Sequence, residues 1–296
     1  MDLTLTEAQE RLASDARSRF EAGQRPPIVD GSLTDLVVVA RELGRAARPS
    51  TFHTEVLARL LGWQGPGLAA VALDVADGVA RFVAHGAEAD TLLVRSGAGH
   101  VVEIDLRGTG PVVRPIATIG DDGRCDVTLG SAATLAVLDC DIEGAVARAA
   151  IVLSADAVGA AGAALDAAVA HVITRHQWGA PLATLQAVQH RCANMLLDVT
   201  MASDAVFDAA GVADRGADED QVRLAAAYAN ATAIERCRRA TASAHQLAGG
   251  HGIDADAPFH RWYRRVKAAE PVLGDARQHR DAIAAALLDD QAAPSI

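Results

Sequence analysis

Lysine is nearly missing from this sequence: Lys267 is the only one among 296 residues. That scarcity carries no functional weight by itself, but the overall charge does. The 27 Lys and Arg residues stand against 38 Asp and Glu, a formal net charge of −11. Such a chain gains nothing from counterion release on a polyphosphate backbone, so nucleic acid is excluded as a partner class. The same field opposes any phosphorylated small molecule, which must then be gripped by locally placed arginines and backbone N–H groups. Cysteine is also sparse. Cys125, Cys140, Cys192 and Cys237 are far apart and form no C-x-x-C pair, and the chain opens without a charged-then-apolar leader. The expectation is a reducing, cytoplasmic setting, with no disulfide framework and no metal site. No apolar run reaches the roughly 20 residues of a membrane span. The Ala-rich stretch after Ala149 is broken by Asp156 and Asp166, so no membrane association is expected. Internal repeats are absent.

Half of the residues are hydrophobic, enough for a large core and more than one structural unit. Thr4 and Glu7 have capping-box spacing ahead of Leu12, Ala16 and Phe20, which predicts a helix over 4–24, broken by Pro26-Pro27. Further helices are predicted over 32–45 and 54–61, and a boundary over 62–67. Short β-rich runs follow at 69–73, 80–85, 91–95, 100–105 and 125–129. Val101 to Leu106 alternates as a strand with one buried face does. After Asp141 the pattern turns helical, at 143–174, 181–210, 219–248 and 264–289. Leu153, Val172, Leu185, Val188, Met195, Leu196 and Val199 supply large core side chains at helical spacing. The fold class expected is mainly α with a small β-domain. A shortened N-terminal helical domain covers 1–66, a middle β-domain 67–141 and a C-terminal four-helix bundle 142–296.

Two stretches carry a chemical signal. The first is Arg175-His176-Gln177-Trp178-Gly179-Ala180-Pro181-Leu182, followed by Gln186. Its guanidinium offers a planar fork for a pyrophosphate, Gln177 can bond a ribose or phosphate, Trp178 can pack on a ring, and Gly179-Ala180-Pro181 demands a tight turn. The second is Gln246-Leu247-Ala248-Gly249-Gly250-His251-Gly252-Ile253, at the end of a long predicted helix. One glycine suffices to end a helix, whereas three within four residues also let backbone N–H groups approach an anion closely.

Together with Phe259-His260-Arg261-Trp262-Tyr263-Arg264-Arg265, these two stretches resemble the C-terminal domain of acyl-CoA dehydrogenases over roughly 143–289. More loosely, Ala80 to Val83 and Ala89 to Val94 resemble two strands of that family's middle domain. The resemblance implies that Arg175, Gln177, Trp178, Gln186, Gln246, Gly249 and Gly250 reach across a dimer interface to the adenosine and pyrophosphate parts of FAD held by the neighbouring subunit. It also shows what is missing. The family's usual base, a Glu just before Gly-Thr, falls on Leu273 in Glu270-Pro271-Val272-Leu273-Gly274-Asp275, and the alternative base position falls near Ala149. Neither side chain can accept a proton. Glu143, Glu270 and Asp156 are the nearest acids, and solvated helix charge accounts for them better than a relocated base does. The loop that cradles the flavin ring is also missing, since Ala69 to Leu73 runs straight into Asp74-Val75-Ala76-Asp77-Gly78.

The expectation is therefore a chain with no catalytic residue of its own. It would pair with a second acyl-CoA dehydrogenase subunit that carries the Glu, in an α2β2 assembly acting on an acyl-CoA. Two-subunit members of this family act in bacterial breakdown of sterols, which makes a steroid-derived acyl group the extrapolated substrate. Two other readings keep the fold: a flavin-dependent monooxygenase, and a structural subunit with no ligand contact.

Overall fold

A computed structural model of the chain describes residues 5–24, 31–96, 99–120 and 122–288. Thr4, Pro26-Pro27 and Asp289, on which sequence expectations fell, lie outside them. The elements in chain order begin with α1 (Glu7–Glu21), α2 (Leu33–Ala46) and α3 (Phe52–Leu60). Eight strands follow: β1 (Ala69–Ala72), β2 (Val75–Ala76), β3 (Val79–Ala84), β4 (Thr91–Arg95), β5 (His100–Asp105), β6 (Val112–Pro115), β7 (Arg124–Thr128) and β8 (Thr134–Asp139). The rest is α4 (Ile142–Thr174), β9 (His176–Gln177), β10 (Ala180–Pro181), α5 (Gln186–Asp214), α6 (Glu219–Ala248), α7 (Gly250–Ile253), α8 (Phe259–Ala269) and α9 (Ala276–Leu288). Two compact units result, one from Met1–Arg48 with Ala150–Ile296 and one from Pro49–Ala149.

The unit from Pro49–Ala149 is built on two four-stranded sheets, ordered β1-β4-β5-β8 and β2-β3-β7-β6. Ala70, Ala72, Ala80, Val83, Leu92, Val94, Ile104, Cys125 and Val127 form the core. The alternation read in Val101 to Leu106 places Val102, Ile104 and Leu106 on that core. Val101 is buried as well, so the other face is covered too. On that face the Trp63 indole N–H donates to Glu103 Oε1 at 3.4 Å. Three strands were not foreseen, β2, β6 and β8, each an edge strand, β2 and β6 short and β8 with no polar residue alternating through Leu135 to Leu138. Between β2 and β3, Asp77 (φ 53°) and Gly78 (φ 73°) make a two-residue hairpin turn with both central residues in the left-handed region, and Ala76 pairs with Val79 across it. Asp-Gly is the sequence such a turn prefers.

In the other unit α1 starts two residues later than the Thr4–Glu7 spacing suggested. Thr6 Oγ1 accepts from Gln9 N at 3.3 Å and Gln9 Oε1 accepts from Thr6 N at 3.1 Å, a reciprocal cap. Asp214, the last residue of α5, caps α2 from outside by accepting from Leu33 N (2.7 Å) and Thr34 N (2.9 Å), a favourable place for a carboxylate at a helix N-terminus. The other end of α2 is held by α8: Trp262 Nε1 donates to Arg45 O at 3.0 Å and Arg265 Nη1 to Arg48 O at 2.8 Å. Between them lies the crossing of α2 and α4. A Cβ on Gly44 would stand 1.9 Å from Asp156 O, and one on Gly159 would stand 1.9 Å from Arg41 O. Because both clashes are with backbone, Gly159→Ala is expected to force the helices apart and cost about 1–3 kcal/mol. Urea denaturation of that variant measures it, and an unchanged midpoint would contradict the close crossing.

Three expectations need correction. The helix predicted over 264–289 is two helices, α8 and α9, because Pro271 and the left-handed pair Leu273 (φ 58°) and Gly274 (φ 103°) break it. The helix predicted from Pro181 begins at Gln186, because residues 176–184 form a hairpin and a 3₁₀ turn. Of the core residues named for the bundle, Leu153, Val172 and Met195 are buried, but Leu185 and Leu196 are exposed, the latter at 57%. Leu197 and Met201 of α5 are exposed as well. In addition, α4 is long and apolar enough by length and composition alone to cross a membrane, despite Asp156 and Asp166. Its most apolar stretch is 61% buried inside the protein, where it serves as the core helix.

Candidate functional site

The two sequence stretches meet at one end of the helical unit. Helix α4 ends at Thr174, and its last backbone bond runs from Arg175 N to His171 O at 2.8 Å. The chain then turns through a two-residue hairpin: Gln177 pairs with Ala180 and His176 with Pro181, with Trp178 (φ 51°) and Gly179 (φ 82°) at the tip. Leu182 N–H closes its base on Arg175 O at 2.9 Å. Glycine takes the left-handed region freely, but tryptophan does not, at a cost of roughly 1–2 kcal/mol. Trp178 nevertheless sits there with 85% of its surface exposed. An aromatic ring held outward on a strained turn has no explanation in this chain's own packing.

The second stretch closes α6. Gly249 has φ 56° and ψ −131°, a conformation open only to glycine, and its N–H bonds His245 O at 3.1 Å. Gly252 is glycine for packing, since a Cβ there would lie 3.0 Å from His245 O. Gly250 has neither reason: its φ is ordinary and a Cβ would meet nothing within 4 Å. The chain's own structure does not require glycine at 250.

A pair of imidazoles joins the two stretches. His171, in the last turn of α4, stacks on His251 of α7 with ring centroids 5.4 Å apart and planes inclined by 15°. Burial, then the charges of His251 and Arg175, hold the His171 imidazole below its usual pKa. Behind this stack, His251 meets Phe259 edge-on, and His245 meets Phe259 and Tyr263, tying α6, α7 and α8 together. Burial likewise lowers the His245 pKa, with His260 as the next cause. Sequence reasoning passed over His171, although its spacing of four from Arg175 puts both on one face of α4.

Of the seven residues singled out, Arg175, Gln177 and Trp178 share the hairpin, and Gly249 and Gly250 lie at the same end through the histidine stack. Gln186 opens α5 and Gln246 stands on the last turn of α6, and neither hydrogen-bonds the other five. All seven are exposed. Among the described residues, the side chains of Arg175, Gln177, Gln186 and Gln246 have no hydrogen-bond or ion-pair partner. Elsewhere in the chain Arg45, Arg236, Arg239 and Arg265 are each paired with an aspartate. A free guanidinium fork, three free carboxamides, a displayed ring and the Gly250 amide, with open space around its Cα, form a donor set suited to an anion with an attached heterocycle.

The acids that could have served as a base are already engaged. Glu143 pairs with Arg95 at 2.7 Å, Glu270 with Arg238 at 3.4 Å and with Lys267, and Asp156 with Arg265 through both oxygens at 2.5 and 2.6 Å. Leu273 holds a left-handed conformation (φ 58°) in the turn before α9, and Ala149 is buried. Where a ring-cradling loop was sought after β1, the chain has only the two-residue Asp77-Gly78 turn.

Comparison with known proteins gives three findings. The family pattern described as Acyl-CoA dehydrogenase, C-terminal domain, matches residues 142–288. Acyl-CoA dehydrogenase IpdE2 of Mycobacterium tuberculosis is 31% identical over 262 residues, 84% of this chain and 76% of that protein. FadE34 of the same organism is 30% identical over 263 residues, 82% of this chain but only 37% of the longer relative. In structure, a chain of the ChsE4-ChsE5 complex from M. tuberculosis superimposes with a TM-score of 0.85 at 21% identity, over the whole of both chains. That likeness establishes a shared fold.

Proposed function

The chain belongs to the acyl-CoA dehydrogenase family, and from that premise we propose that it is the non-base subunit of an FAD-dependent enzyme that dehydrogenates an acyl-CoA thioester between its α and β carbons. The observation that carries this reading is the unpaired donor set at one end of the helical unit, together with Gly250, whose lack of a side chain serves nothing within the chain. Arg175 would pair with the diphosphate of FAD, the Gly250 amide would face its oxygens where the Gly249 turn lets it come close, Trp178 would cover a ring, and Gln177, Gln186 and Gln246 would bond the sugar and base edges. When bound, FAD supplies the hydride acceptor. In this reading the chain's residues bind and orient it and abstract no proton, since Leu273 falls at the family's usual base position and the alternative one falls near Ala149.

The base and the ring cradle would come from a second, more complete dehydrogenase subunit, in an α2β2 assembly. Two features support a partner. Leu196, Leu197 and Met201 of α5, with Leu185 just before it, are apolar and exposed, and α9 has no buried residue among those described, a pattern that marks an interaction surface. The fold also matches a chain whose own crystal structure is of a two-protein complex. A steroid-derived acyl group is the substrate class that goes with this reading.

Expression alone and together with a dehydrogenase chain bearing the family Glu tests the reading. Alone, the chain is expected to be colourless or insoluble; together they are expected to give a yellow complex that oxidises acyl-CoA. A chain purified alone with stoichiometric flavin and thioester oxidation would overturn it. Stoichiometric flavin with oxygen-dependent turnover would instead identify a monooxygenase.

A further inference from the structure

We propose that His171 and His251 form a proton-linked part of the diphosphate site: an anion seated between Arg175 and the Gly249–Gly250 turn brings a proton onto His171, so the cofactor is held more tightly as pH falls. The inference rests on the diphosphate reading above and adds to it a residue pair and a dependence on protons.

The geometry places the pair between the two arms of the grip. His171 is one helical turn before Arg175 on α4, and His251 follows Gly250 directly on α7. The rings stack at 5.4 Å and 15°, so a charge arriving at either arm acts on both. The groups around the stack can be named element by element. Just past the end of α4 the charge felt at His171 is Arg175, and on α7 it is His251. Helix α8 contributes the uncharged ring of Phe259, 6.1 Å from His251. Behind these lie His245 of α6 and, acting on it, His260 of α8. Asp254 and Asp256 sit in the turn after α7, and Asp254 reaches His251 through a backbone bond, N to O, at 3.3 Å. Among the described residues no carboxylate pairs with either imidazole.

Without an anion the surroundings of His171 therefore oppose a positive charge: the ring is partly buried, and its charged neighbour Arg175 is positive. A diphosphate paired to Arg175 reverses the sign of that field. The negative end of α4, where His171 sits in the last turn, favours the imidazolium with or without the anion, so the change comes from the diphosphate. Linkage is reciprocal, so if the anion raises the proton affinity of His171, protonation raises the affinity for the anion by the same factor. The sign follows: the gain is present at low pH and is lost as pH rises through the titration of the bound form. A shift of one unit corresponds to a change of about tenfold in affinity.

The test uses the chain assembled with its dehydrogenase partner and FAD as the probe. Flavin fluorescence gives the dissociation constant at pH 6, 7 and 8, and calorimetry in buffers of different ionisation enthalpy counts protons taken up on binding. For the native chain the dissociation constant is expected to fall roughly tenfold from pH 8 to pH 6, with net proton uptake near pH 7. His171→Gln is expected to match the native value at pH 8, to lose most of the slope and to take up fewer protons. An unchanged slope and unchanged uptake in that variant would overturn the proposal. If it does not fold, His171→Tyr, which keeps a ring in the stack, decides by the same two readouts. Absence of proton uptake by the native complex would overturn the proposal without any variant. Arg175→Ala separates the two levels: flavin lost at every pH with the native slope unaltered by His171→Gln removes only the histidine proposal, whereas flavin retained in Arg175→Ala removes the diphosphate reading beneath it.

Discussion

Asp156→Ala is expected to lower the unfolding free energy by about 3–5 kcal/mol, the usual cost of removing one partner of a buried ion pair. Asp156 is 4% exposed, in the middle of the core helix α4, and both its oxygens are bonded by Arg265 of α8, itself 21% exposed. Taking away the carboxylate leaves a largely buried guanidinium that has lost both of its bonds to a countercharge. The pair matters beyond its own energy because it stands where three helices meet. Asp156 O touches the position of Gly44 on α2, and Arg265 and Trp262 hold the last carbonyls of α2 from α8. The loss should therefore appear as a lower urea midpoint, and as earlier proteolysis near the end of α2. Replacing both residues together with apolar ones of similar volume, Asp156→Leu with Arg265→Met, is expected to recover much of the loss, since no unpaired charge then remains. A fall of under about 1 kcal/mol for Asp156→Ala would show that water reaches the guanidinium when the carboxylate is gone.

Arg175→Ala is expected to weaken FAD binding by the assembled complex roughly 10- to 150-fold, the equivalent of about 1.5–3 kcal/mol for hydrogen bonds to a charged group. Stability of the chain itself should not move, because Arg175 is exposed and makes no ion pair or side-chain hydrogen bond among the described residues. Gly250→Ala should give the same signature from the other arm of the grip. Its added Cβ meets nothing within 4 Å, and alanine suits a helical position better than glycine, so stability holds or rises while flavin is lost. This split between unchanged folding and reduced cofactor retention is what separates a binding role from a structural one. Flavin content unchanged in both variants would make the chain a structural subunit, and the exposed Trp178 would then belong to a protein contact alone. Bound flavin absorbance after gel filtration, compared with thermal unfolding of each variant, provides both measurements.

What the sequence determined by itself is local. Helix α6 follows from its apolar spacing between Asp218 and Gly249, and α2 from its Ser32 cap. Strands β4 and β5 follow from their β-branched runs, and the Asp77-Gly78 turn from the only residue types that take both left-handed positions freely. The seven residues proposed to hold the cofactor, and the proposed absence of a base at Leu273, were likewise read as a linear pattern, because residue type and spacing are all that such a reading needs. The tertiary structure alone decided everything that depends on partners distant in sequence. It joined Asp156 to Arg265 across 109 residues and brought His251 onto His171. It showed that Gly44 and Gly159 are glycine for a helix crossing, whereas Gly250 is glycine for nothing inside the chain. It also left Leu185 and Leu196 uncovered although their spacing reads as core. The physical reason is one and the same: periodicity says that a face is apolar, but only the packed chain says whether its own residues cover that face or leave it for another molecule.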